Sequence, residues 1–210
     1  MMFKKIGFLI VFTLVVSNSL AQKIMEKELD AANYSVIEIN SDVIYHINIS
    51  TENSDKIKIT THVEGENYEN VVLSIKENDE QLNIEPMFTP YFEAKNDKLA
   101  AHKVLAIEME LRIPENLSIR INSSLSSVKA KGKFLSFEAL LGDGNCILEE
   151  FIGNAAIKTK QGFIKVFAKH TVSGKAFSKK GKVFNALEKK GKFAIEAESL
   201  EGDISLFLIE

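Results

Sequence analysis

The sequence predicts an all-β protein built as a stack of short strands, a β-solenoid or β-helix-like fold. Three observations carry that prediction. Apolar residues alternate with polar ones at a period of two through most of the chain. No window sustains the 3.6-residue period of an amphipathic helix. A small turn residue, usually glycine, recurs every 18 to 21 residues in the C-terminal half. The chain of 210 residues is 45% hydrophobic and 26% charged, with 3 Pro and 11 Gly. That composition excludes a disordered, collagen-like or polytopic membrane chain.

Residues 1–21 read as a secretory leader. Lys4 and Lys5 precede an apolar run from Ile6 to Val16, and Ser19-Leu20-Ala21 supplies small residues for cleavage. The run is too short to span a bilayer, which takes roughly 20 residues, and no cysteine follows it to carry a lipid. The expected mature chain begins near Gln22, with net charge moved from −3 to −5. It has no transmembrane segment and lies in the periplasm, at the cell surface or outside the cell.

Residues 22–116 read as irregular β rungs and a cap. Ile37 and Ile39, then Tyr45, Ile47 and Ile49, then Ile57 and Ile59 alternate with polar residues. Leu73/Ile75 and Leu82/Ile84 continue the pattern. Leu105 to Ile113 alternates without a break until Pro114 stops the strand. The only helix-tolerant stretch is 93–103. Just before it, Phe88, Tyr91 and Phe92 sit in a proline-bounded loop, suited to cap an open solenoid end or to make an apolar contact.

Residues 117–210 divide into units 117–134, 135–154, 155–174, 175–193 and 194–210, each a strand, a turn, a second strand and a second turn. The first turn places Ser126, Gly144, Gly162, Gly181 and Gly202 two residues before an apolar position. The second carries Gly132, Gly153, Gly174 and Gly191. The expected reason is a positive φ at each tight turn. Two short strands cannot bury a face alone, so such units must stack into one core. Turn signals at this density also suit a β-sandwich, the competing architecture. No linker separates the halves, so one domain is expected.

The strand ending Leu111-Arg112-Ile113-Pro114, the run Leu117 to Ile121 and turns such as Thr159-Lys-Gln-Gly162-Phe-Ile164 resemble the bacterial putative-adhesin β-solenoid domains, a group that includes auto-transporter adhesin heads and is largely of unknown function. The resemblance spans about residues 36–210. It implies an exported, non-catalytic binding module of the cell envelope. It offers no catalytic residues to carry over. Ser126 departs from the glycine of the other units.

No enzyme motif stands out. Gly142-Asp143-Gly144-Asn145 lacks the rest of a calcium loop or P-loop. His46, His62, His102 and His170 share no ligand spacing, so neither metal nor cofactor is expected. Cys146, the single cysteine, lies in an apolar run and reads as a buried small hydrophobe. Charge is more informative. Residues 22–116 carry 9 basic and 19 acidic side chains; residues 117–210 carry 15 and 10. Between 158 and 192 there are 11 lysines and one acid, Glu188. Stacked units would align these lysines. Lys158, Lys160, Lys165, Lys179, Lys180 and Lys182 are therefore candidates for contact with an anionic polysaccharide or lipopolysaccharide. The absence of arginine and interleaved aromatics there speaks against a specific nucleic-acid partner. Two alternatives are an accessory protein that binds an envelope protein by strand addition and a small polysaccharide-processing β-helix.

Overall fold

The computed structural model describes residues 22–65, 67–90, 92 and 105–209. The expected leader, Tyr91 and the 93–103 stretch lie outside them. Alternation becomes strand throughout: β1 (Gln22–Asp30), β2 (Val36–Asn40), β3 (Ile44–Glu52), β4 (Lys56–Gly65), β5 (Val71–Asn78), β6 (Gln81–Phe88) and β7 (Leu105–Pro114). The C-terminal half forms β8 (Ser118–Ser123), β9 (Ser127–Leu141), β10 (Cys146–Thr159), β11 (Ile164–Lys169), β12 (Val172–Ser178), β13 (Val183–Asn185), β14 (Phe193–Ser199) and β15 (Ile204–Ile209). All fifteen belong to one mixed sheet. Among the described residues, no helix is long and apolar enough to cross a membrane.

The sheet has two columns of strands. One runs β1-β4-β7-β3-β9-β10-β11-β15-β13; the other runs β5-β6-β2-β8-β9-β10-β14-β12. The long strands β9 and β10 serve both, because each bends near its middle. Gly132 and Gly153 mark the bends, with φ of +112° and +145°. A Cβ at Gly153 would also lie 2.3 Å from the Phe134 carbonyl oxygen. Antiparallel pairing is confined to β1–β4, β4–β7 and β5–β6, and the other pairs are parallel.

Inward rows run across the strands. Val128, Cys146, Ile164 and Ile204 are in register and at most 2% exposed. Ile39, Ile121, Ala139, Ile157 and Ala197 form a second buried row. Between them Phe134, Phe137 and Phe151 pack with ring centroids 5.7 to 6.2 Å apart. Each such ring taken from water contributes about 2–3 kcal/mol.

Two expectations need correction. The first-turn glycines do stack, but none of Gly144, Gly162, Gly181 and Gly202 has a positive φ. Close approach is what demands them. A Cβ at Gly162 would lie 1.8 Å from the Gly144 carbonyl oxygen, and one at Gly202 would lie 2.0 Å from that of Gly162. Ser126 is tolerated at the head of this column because its hydroxyl donates to the Ile44 carbonyl at 2.6 Å. The second correction concerns order. Strands of unit 194–210 do not follow those of 175–193 in space. β14 lies between β10 and β12, and β15 lies between β11 and β13. The chain leaves a gap after β10 and β11 and fills it last.

Candidate binding groove

The second column presents an outward row fixed by register: Asn40, Asn122, Leu140, Lys158, Glu198 and Phe177. Each residue is one step from an inward core position, so the pleat aims it at solvent. Two hollows of about 330 Å³ each lie along this row. The first is flanked by Glu38, Arg120, Asn122 and Glu138. The second is lined by Thr159, Lys160, Phe177, Glu198 and Leu200. Both include Leu140 and Lys158, so they form one continuous groove. Leu140 is 57% exposed, Phe177 65% and Leu200 51%. Three large apolar side chains thus stand in water beside charged ones.

The strand order decides the electrostatics. Unit 194–210 brings Glu196, Glu198, Glu201 and Asp203 between the lysine-rich units. Lys158 Nζ lies 3.0 Å from Glu198, Lys175 3.5 Å from Glu196, and Lys180 2.5 Å from Glu201. The hydrogen bond from Lys180 holds the Glu201 carboxyl below the usual carboxylate range. On the groove's other flank Arg120 lies 3.5 Å from Glu138, while Glu38 accepts from Asn40 and Gln81. The lysines therefore alternate with glutamates across the strands and do not form an unbroken positive ladder.

The structure distributes the sequence-derived residues unevenly. Lys158 and Lys160 line the groove. Lys179, Lys180 and Lys182 lie in the turn between β12 and β13, whose main chain bonds to Ser199 and Leu200. Lys165 is on β11 in the other column, with its ammonium 5.0 Å from the Phe163 ring centroid. Lys160, Lys165, Lys179 and Lys182 form no ion pair among the described residues. Phe88, at the end of β6, stacks on Phe92 at 4.8 Å. Gly144, Gly162, Gly181 and Gly202 form the turn column already described. Among the described residues no cluster of His, Cys, Asp and Glu could hold a metal. Burial pushes the Cys146 thiol up to about 12.

Sequence reasoning missed Leu140, Phe177 and Leu200. Leu140 adjoins buried Leu141 and Phe177 adjoins half-buried Ala176, and apolar doublets read as core; Leu200 stands alone between Ser199 and Glu201. Their signal was phase. Leu140 falls out of step with inward Ala139 and Leu141, and Leu200 directly follows inward Ser199.

No protein-family model matches the chain, and no curated protein matches it. The fold is similar to that of solved structures. A putative cell adhesion protein from Clostridium sporogenes superposes with a TM-score of 0.61 at 19% identity, over 90% of this chain and 100% of that one. A putative adhesin from Bacteroides fragilis gives a TM-score of 0.36 at 10% identity, over 88% and 97%. The first shows a shared all-β fold.

Proposed function

We propose that this chain is an exported, non-catalytic β-solenoid that acts at the cell envelope as an adhesin-type binding module, with the second-column groove as its binding face. The solenoid reading draws on the parallel, in-register pairing of the C-terminal units and on their stacked turns. The adhesive reading extends to this chain the description of the Clostridium sporogenes protein. The ligand in this reading is an anionic glycan, such as acidic polysaccharide or lipopolysaccharide.

The observation that carries it is the pairing of exposed Leu140, Phe177 and Leu200 with Lys158 and Lys160 in one groove. A sugar offers an apolar ring face and polar edges, and this surface matches both. Lys160 lines the groove, and Lys179, whose main chain bonds to Ser199, adds unpaired positive charge at its end. Each contact is weak, and their regular spacing across strands makes them additive.

The test is binding to an array of bacterial glycans and lipopolysaccharides at low and high salt. Binding that weakens with salt and is lost in Phe177→Ala and in Lys160→Gln/Lys179→Gln supports the proposal. Salt-insensitive binding, or binding unchanged by Phe177→Ala, overturns the groove assignment. No binding at either salt overturns the glycan reading.

A further inference from the structure

The last rung of the first column ends on an open, apolar edge. Among the described residues β13 pairs with β15 alone. Ile204 N–H donates to the Lys182 carbonyl at 2.8 Å, and Ala186 N–H donates to the Leu206 carbonyl at 2.9 Å. Alternate residues of a strand turn their main-chain groups to opposite edges. Val183 and Asn185 therefore turn theirs away from the sheet. The chain is held in place on both sides of them. Gly181 N–H donates to Ser178 Oγ, and Lys182 N–H donates to Asp203 Oδ1. Asn185 Nδ2 donates to the Gly174 carbonyl, while its Oδ1 accepts from Leu187 N–H. The edge is thus ordered before anything docks on it, which lowers the cost of binding.

Its side chains are equally unfinished. Val183 continues the inward row of Ile164 and Ile204, yet it is 45% exposed where they are buried. Phe167 stacks on Phe207 at 5.1 Å and Phe207 meets Phe184 at 5.3 Å, but Phe184 is 53% exposed. Solenoid ends are normally closed by polar residues. At the opposite end β1 follows that rule, exposing Gln22, Glu26, Lys27, Glu28 and Asp30 against one apolar residue, Ile24.

Charge selects what fits the open end. Residues 179–192 hold six lysines and one acid, Glu188. A second copy of this end would bring lysines to lysines. We propose that β13 receives an extended acidic segment of a partner protein as one more strand. An aromatic side chain of that segment lies opposite Phe184, and a carboxylate two residues away lies opposite Lys182. Lysine beside an exposed edge normally blocks pairing. Here it also selects, because a carboxylate on the incoming strand turns the obstacle into a contact. The groove lies on the other column, and its test uses none of Lys182, Val183 and Phe184. Failure of the glycan reading and failure of this one are therefore separate outcomes.

The experiment is fluorescence anisotropy of a labelled peptide, Glu-Glu-Val-Phe-Val-Glu-Glu, titrated with the purified protein. The peptide reads the same in both directions, so parallel and antiparallel addition present the same side chains. The expected result is saturable binding. Lys182→Glu weakens it about tenfold, since an attractive pair becomes a repulsive one. Phe184→Ala, at an exposed site, weakens it about tenfold through loss of the ring contact, with an unchanged circular dichroism spectrum and unchanged glycan binding. A peptide methylated on its three central backbone nitrogens does not bind, because it cannot donate to the edge. Absence of saturable binding overturns the proposal. So does binding that survives Phe184→Ala, or a methylated peptide that binds as well as the parent. Sedimentation equilibrium without peptide that shows a dimer, lost in Phe184→Ala, gives the edge to a second copy and overturns the acidic-partner assignment.

Discussion

Gly162→Ala is the substitution that bears most directly on the stacked turns. Its Cβ would meet the Gly144 carbonyl oxygen at 1.8 Å and the Gly144 carbonyl carbon at 2.4 Å. Both are backbone atoms, so no side chain can rotate away. Relief requires the two turns to separate by more than an ångström, and hydrogen bonds from three main-chain N–H groups to main-chain carbonyls oppose it. Cys146 N–H donates to the Phe163 carbonyl at 2.9 Å, Lys160 N–H to Gly142 at 3.0 Å and Gln161 N–H to Gly142 at 3.1 Å. At about 1 kcal/mol net each, losing them costs about 3 kcal/mol. The smaller entropy of the unfolded alanine chain offsets about 0.5 kcal/mol. That loss is large beside a total stability of about 5–15 kcal/mol. The assay is urea denaturation followed by circular dichroism, with exposed Gln161→Ala as control. The expected result is a midpoint lowered at unchanged slope in Gly162→Ala alone. A Gly162→Ala free energy within about 0.5 kcal/mol of the parent would refute the close-approach argument and return the glycine to a purely conformational role.

Other expectations follow from the core and the surface. Phe151→Ala opens a cavity between Phe134 and Phe137 and should cost about 3–5 kcal/mol by chemical denaturation. Thr61 is fully buried, and its hydroxyl finds no hydrogen-bond partner among the described residues; Thr61→Val should stabilise the protein by about 1 kcal/mol, measured the same way. Cys146 should resist a thiol reagent in the folded state at pH 8 and react fully in urea. Its folded pKa is raised, so the thiol's contribution is complete below the unfolded value near 9 and is lost as pH climbs towards about 12. Replacing Glu196, Glu198 and Glu201 together by Gln should leave stability within about 1 kcal/mol, as exposed pairs contribute little. The same change should raise retention on an anionic column.

Alternation and turn spacing made the strands and the inward rows legible, because a period of two maps directly onto a pleated surface. Ile37, Ile39 and the run from Leu105 to Ile113 fall where their pattern put them. The glycine column was legible in position but not in cause. A glycine excluded by a neighbour's carbonyl and one selected for positive φ look the same in one sequence. Ser126 held the clue, since serine at the first position of the column is compatible with the turn itself and reports only on the layer beside it. The outward groove was hidden because Leu140 and Phe177 continue apolar doublets, and a single sequence does not say which member faces the core.

The strand order could not be read at all, and it changes the meaning of the charge pattern. Along the chain, 11 lysines crowd into 158–192 with one acid, which suggests an unbroken positive stripe. In space the glutamates of the last unit are laid between the lysines of the two before it, and Lys158, Lys175 and Lys180 each acquire a carboxylate. Net charge over the half is unchanged, but the field close to the surface alternates in sign and decays over a short distance. A recognition mode that depends on a long-range positive field is therefore less suited to this face than one that depends on contact. The same late insertion leaves β12 and β13 as the outermost strands, so lysines that remain unpaired, Lys179 and Lys182, gather at an edge. Charge that is dispersed by neutralisation on the face is concentrated at the end.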